Sequence, residues 1–281
     1  MKFEQGFLRQ ESNELMDKAY EEAKRVIARD QISLDDFEGK ADGVRLAKDR
    51  AYVADRRKKF EAQDNDPSDP TYAENRKWAT VFEAFLHMHI EQSNYFGENA
   101  STVKTSEYDD YQGIDEVVEF SQDQLKSHLG MAVDVTFNKN PKYKIDRIRR
   151  KIDAGELDTV RYFISPDGDF QGELRNIPHV VVGADRKTIA ELSELWLQNS
   201  SKALAEHSIQ FQLLEQILEQ CDIYEQYARK KGQEAIAEKY LGAGELISAV
   251  MLEKRESMND HGQRDSVHHS LMAEVRRFGK E

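Results

Sequence analysis

Apolar residues recur at helical spacing over most of this chain, and a few short runs break that rhythm. Leu15, Ala19, Ala23, Val26 and Ile27 predict one amphipathic helix, and Val44, Ala47, Ala51 and Ala54 a second. Residues 30–40 lie between them, and Asp64-Asn-Asp-Pro67-Ser-Asp-Pro70 reads as a linker after the second. Trp78, Val81, Phe82, Phe85, Leu86 and His89 share a broad face of a third helix. Ile145, Ile148 and Ile152 form the stripe of a helix over 142–154 that Gly155 ends. Asp185 can cap a helix carrying Ile189, Leu192 and Trp196. Towards the C-terminus, Leu214, Ile217, Cys221, Tyr224 and Ala228 recur close to every 3.5 residues. Leu246, Ile247, Val250 and Met251 mark another helix, as do Val267, Leu271, Val275 and Phe278. The Gly242-Ala-Gly244 run predicts a break between helices.

Four runs have the β-branched, apolar character of strands: 113–120, 131–137, 160–164 and 179–182. The chain thus divides by pattern into a helical region over 1–70, a mixed region over 71–198 and a second helical region over 199–281. The expected fold class is α/β, a mixed central sheet flanked by N- and C-terminal helices.

The 281 residues carry a formal net charge of −13, with 33% charged residues. This excludes a broadly basic surface, although a local basic groove is compatible with it. No run approaches the roughly 20 apolar residues of a membrane span, and residues 1–14 lack the apolar centre of a signal peptide. A cytoplasmic protein with no membrane partner is the expectation. The single Cys221 excludes an internal disulfide, and its place in an apolar stripe predicts a buried thiol.

Two of the strands carry carboxylates within them. Asp134 shares a strand face with Ala132 and Thr136, and Asp115 lies near the start of the preceding strand. A carboxylate in a buried strand is costly unless it is paired, hydrogen-bonded or metal-bound. Two such strands joined by a short loop can bring both carboxylates to one hard cation. Glu119, on the face of Asp115, reads as a solvent-facing strand residue. His87 and His89 point to different sides of their helix and do not chelate one ion together. His268 and His269 read as exposed.

The order of a helix, an acidic strand, an Asp-x-Thr strand, a basic helix and further strands resembles the PD-(D/E)XK nuclease-like superfamily over about 71–198. That resemblance implies Mg²⁺ or Mn²⁺ as cofactor. Asp115 and Asp134 would be metal ligands, Val135 would lend its backbone carbonyl, and Glu83 would be the helix glutamate that completes the shell. The chain departs from the family at Thr136, which stands where the motif lysine belongs and supplies no positive charge. Lys142, Lys144 and Lys151 are the candidate substitutes, with Lys144 foremost. Lys144, Arg147 and Lys151 share a helix face that Arg149 and Arg150 widen, so this helix is the expected nucleic-acid contact.

The function implied is metal-dependent hydrolysis of phosphodiester bonds, with Asp115, Asp134, Lys144 and Glu83 as the catalytic set. Two alternatives stand beside it. One is a catalytically silent nuclease-fold protein that binds nucleic acid or protein, favoured by Thr136. The other is a helical assembly protein on an α/β scaffold, favoured by the net charge, with a second copy or another protein engaged through the C-terminal helices.

Overall fold

The computed structural model describes residues 2–122, 125–134, 142–258, 260 and 262–279; for 2–12, 70, 122, 125 and 132–134 it describes the backbone alone. Helix α1 spans Lys2–Asp30, α2 Gly43–Asp64 and α3 Pro70–Gln92. Strand β1 (Ala100–Lys104) is followed by the short α4 (Glu107–Tyr111), then by β2 (Glu116–Gln122) and β3 (Leu125–Asp134). After α5 (Lys142–Asp153) come β4 (Asp158–Ile164), β5 (Gln171–Ile177) and β6 (His179–Gly183). Five helices follow: α6 (Arg186–Leu197), α7 (Ser201–Ala205), α8 (Ile209–Lys230), α9 (Glu234–Ser257) and α10 (Ser266–Phe278).

The architecture is mixed α/β. The main sheet has the order β1-β2-β3-β6, antiparallel at its first two junctions and parallel at the last. β4 and β5 form a separate antiparallel pair. One face of the main sheet lies against α3, through Val118, Phe120, Leu129 and Met131 on the sheet and Phe82, Phe85 and Leu86 on the helix. Val103, Val117, Val160, Phe163 and Ile177 join its other face to the β4–β5 pair in a second, smaller core. This alternation is what period-two side-chain geometry gives a strand buried on both sides.

The larger core also takes in Met16, Ala19, Ala23 and Val26 of α1 and Leu214, Ile217, Tyr224 and Phe278 near the C-terminus, so all three sequence regions share it. The α8 stripe is covered within the chain by α9 and α10, which leaves that face no room for a second copy.

Two helical expectations change. The face of α2 predicted to be buried is exposed, with Val44 at 68%. The helix instead turns Leu46, Val53 and the carboxylate of Asp49 inward. Asp49 accepts from the Tyr162 hydroxyl at 2.8 Å and the Arg161 guanidinium at 2.6 Å, polar contacts that apolar periodicity does not register. Gly242 and Gly244 do not break a helix but lie inside α9. A Cβ at Gly244 would come within 3.3 Å of the Cβ of Cys221 on α8, so glycine there permits close helix packing. The Cys221 thiol is buried at that contact, and burial pushes its pKa up.

β6 is the outermost strand, yet its free edge is not bare. The side-chain amide of Gln220 on α8 accepts from Val181 N–H at 2.8 Å and donates to Val181 C=O at 2.7 Å. Gln216 does the same for Gly183, at 2.9 Å in both directions, and Gln212 adds a bond to the Gly183 carbonyl. The Tyr240 hydroxyl serves the N–H and C=O of His179. Glutamine side chains, which carry the same donor and acceptor as a peptide group, thus satisfy backbone groups that would otherwise be buried without partners.

Candidate functional site

The chemistry-bearing residues gather at the end of the sheet where β1 finishes and β2 starts. Lys104 is the last residue of β1 and stands opposite Glu116, the first of β2. Between them Ser106 caps α4 by accepting from the N–H of Asp109, and Gly113, at φ +87°, turns the chain into β2. Asp115 immediately precedes β2 and donates its N–H to the Met131 carbonyl of β3 at 2.9 Å. The β3 residue Asp134 is three positions further along towards the same end. β2 and β3 are therefore neighbours, with the expected carboxylate positions at one end of the sheet.

Lys104 is fully buried. Its ammonium donates to the Asp115 carbonyl at 2.6 Å, pairs closely with Glu83 of α3 and lies 3.6 Å from Asp110 of α4. Thr105 donates to the Ile114 carbonyl at 2.6 Å and helps fix the same turn. Beside this group His87 of α3 bridges two carboxylates, Glu116 at 2.9 Å and Asp30 at the end of α1 at 3.2 Å. The second oxygen of Glu116 is buried and has no hydrogen-bond partner among the described residues.

Carboxylates thus outnumber cations. Burial pushes the Asp110 pKa well above the usual carboxylate range, and neighbouring Glu83, Asp115 and Glu107 add to the effect of burial. Glu83 is raised too, by burial first, with Lys104 pulling against it and Asp115 and Glu116 reinforcing it. Lys104 moves upward although burial opposes its charge, because four carboxylates face it. Burial likewise works against charge on His87, but Glu116 and Asp30 outweigh it and the imidazole pKa rises.

The predicted residues fall into three groups. Glu83 and Asp115 come together around Lys104. Val135 and Thr136 lie outside the described residues, as does the side chain of Asp134. The basic residues sit on α5, where Arg147 and Lys151 already face a buried carboxylate, Asp158, at 2.8 and 3.8 Å. Asp158 also takes a 3.0 Å contact from His179, and against its burial these partners depress its pKa. A Cβ on Gly113 would collide with an Arg147 guanidinium nitrogen, so that guanidinium covers the turn into β2. Lys144 is half-buried, while Arg150 is exposed and bonded only to the Asp146 carbonyl among the described residues.

Glu119 is not solvent-facing. It is buried, accepts from Ser165 at 3.0 Å, and contacts His128 at 2.9 Å and Lys126 at 3.3 Å. The β4–β5 pair covers that face of the sheet, which is why strand alternation misplaced it. His268 is buried rather than exposed.

Lys104, Asp110 and Glu116 are the members of the cluster that sequence reasoning does not single out. The available signal is a lysine ending the short run Ala100-Ser-Thr-Val, directly before the capping pattern of Ser106 and Asp109.

Carboxylate oxygens are donors of the kind Mg²⁺ takes. Among the described residues, however, no three or more His, Cys, Asp or Glu side chains gather as a metal ligand group. Among them also, no helix is long and apolar enough to cross a membrane. In comparisons with family models, curated proteins and solved structures, nothing matches this chain.

Proposed function

We propose that the protein is a nuclease-like hydrolase of phosphodiester bonds working at the sheet end where β2 begins. The observation that supports this reading is the convergence of Glu83 and Asp115, from separate elements, on the buried Lys104. Lys104 brings to this end of the sheet the positive charge that Thr136 does not supply. Being fully buried, it positions Glu83 and the Asp115 backbone and offsets carboxylate repulsion without touching substrate. Because the described carboxylates do not form a metal ligand group, a metal-dependent reaction depends on Asp134 completing it. A divalent cation held by Glu83, Asp115, Asp134 and the Val135 carbonyl would polarise the phosphate and activate water.

One observation favours the silent relative as the second reading. The Lys104 ammonium already compensates the cluster from within, as a metal would from outside. Titration calorimetry with Mn²⁺ and Mg²⁺, and cleavage assays on single- and double-stranded DNA and RNA, separate the two. The hydrolase reading expects metal binding and cleavage by the unaltered protein. It expects Asp134→Ala and Asp115→Ala each to lower cleavage by more than the roughly 10–100-fold that loss of an outer-shell partner costs. Metal binding or nucleic-acid binding without cleavage would establish the silent relative. A protein that binds neither would overturn the hydrolase reading and the nucleic-acid-binding form of the silent relative, and leave its protein-binding form.

A further inference from the structure

The outer face of α5 carries an aromatic ring that the core does not use. Tyr143 is 73% exposed, more than any other large apolar side chain among the described residues. It sits in the first turn of a helix with six basic residues against two acidic ones, in a chain whose net charge is −13. At 100° per residue, Tyr143 lies opposite the buried stripe of Ile145, Ile148 and Ile152. Arg147 is one turn on along that face and Arg150 two turns on. Arg150 is exposed and has no carboxylate partner among the described residues, whereas Arg147 leans over Gly113, two residues from Asp115. Ring and outward guanidinium therefore share one face of α5, and Arg147 from that face reaches the turn before Asp115.

We propose that this face binds single-stranded nucleic acid, with Tyr143 stacking on an unpaired base and Arg150 taking a backbone phosphate. An exposed ring offers no stabilising contact to a duplex, whose bases are already stacked, but it matches the π-face of any unpaired base. A local run of cations on an acidic protein draws a polyanion to this helix and away from the rest of the surface. The inference rests on the nuclease-like reading and adds to it the strandedness of the substrate.

Fluorescence anisotropy with labelled single-stranded DNA of about 12 nucleotides, within the span such grooves take, the matching RNA and the DNA duplex tests it on the full chain without added metal. The expected result is tighter binding of a single strand than of the duplex; the DNA and RNA arms show which sugar is preferred. Tyr143→Ala should weaken single-strand binding about tenfold, equivalent to about 1.4 kcal/mol, and leave duplex binding within about twofold. Tyr143→Phe should keep single-strand binding, since the ring and not the hydroxyl makes the contact. Arg150→Ala should weaken all three and flatten their salt dependence. Unchanged single-strand affinity in Tyr143→Ala, with binding by the unaltered protein intact, would overturn the stacking role alone. No binding of any nucleic acid by the unaltered protein would overturn this inference, whereas the nuclease-like reading falls only if metal binding and cleavage fail as well. Tyr143 projects largely into solvent, so circular dichroism of the variants should match that of the parent.

Discussion

Replacing Lys104 by methionine keeps most of the side-chain volume and removes only the ammonium. Glu83 then loses its close partner, Asp110 loses a cation at 3.6 Å and the Asp115 carbonyl loses a 2.6 Å donor. Removing one partner of a buried ion pair costs about 3–5 kcal/mol, because the charge left behind stays desolvated. With a urea slope of about 3 kcal/mol per molar for a chain of this length, the unfolding midpoint should fall by roughly 1–1.7 M at pH 7. Far-UV circular dichroism and tryptophan fluorescence should report the same midpoint. The sign with pH is also fixed. Glu83 and Asp110 already have raised pKa values, so their ionised forms lower stability as pH climbs above the usual carboxylate range. Without Lys104 that penalty grows, and the gap to the parent should therefore narrow between pH 7 and pH 5. Adding Glu83→Gln to Lys104→Met should recover about 1.5 kcal/mol or more, a coupling of the size contacting residues show. A Lys104→Met midpoint within about 0.3 M of the parent, or a double variant no more stable than the single, would refute the placement of this ammonium as the cluster's counter-charge.

Two further outcomes follow from other polar contacts. Gln220→Leu leaves the N–H and C=O of Val181 without partners and should cost about 1–3 kcal/mol in urea unfolding; light scattering should also rise on standing, since an uncovered strand edge invites pairing between chains. His87→Gln removes an imidazolium held between Glu116 and Asp30, and should cost about 1.5–3 kcal/mol at pH 6. Because the folded pKa lies above 6.5, this contribution is complete below that pH and is lost as pH rises through the folded value. Equal stability differences at pH 6 and pH 9 would contradict that pairing.

Strongly periodic segments are legible in the sequence alone. The isoleucine stripe of α5, the α8 stripe and the Asp185 cap of α6 all sit where spacing places them, since apolar burial is what periodicity records. β2 is legible for the same reason, although Asp115 stands just before it and not within it; β3 is legible only over 131–134, since its first part, Leu125-Lys-Ser-His-Leu-Gly130, has no β-branched residue. What escapes is held by polar contacts between residues far apart in sequence. β1 reads as polar because Thr102 and Lys104 point into hydrogen bonds and not into oil. β5 lacks alternation, since most of its residues are only half-buried. Glu119 alternates outward on β2, but the face it enters is roofed by the β4–β5 pair. Lys104 lies in no element that apolar patterning identifies, so the search for a substitute lysine leads to α5, the next basic stretch along the chain.

The glutamine cover on β6 also sets a timetable for the newborn chain. β6 is complete once Gly183 has been made, whereas Gln212, Gln216 and Gln220 arrive about 30–37 residues later. At roughly 5–20 residues per second, translation takes about 2–7 s to cross that interval. The exit path of the ribosome delays β6 and α8 by the same length of chain and leaves that interval unchanged. For those seconds the sheet has its last strand but not the side chains that answer it, and a neighbouring nascent chain on the same message presents the same unanswered strand. The C-terminal helices therefore decide when the sheet becomes safe from its own copies during synthesis.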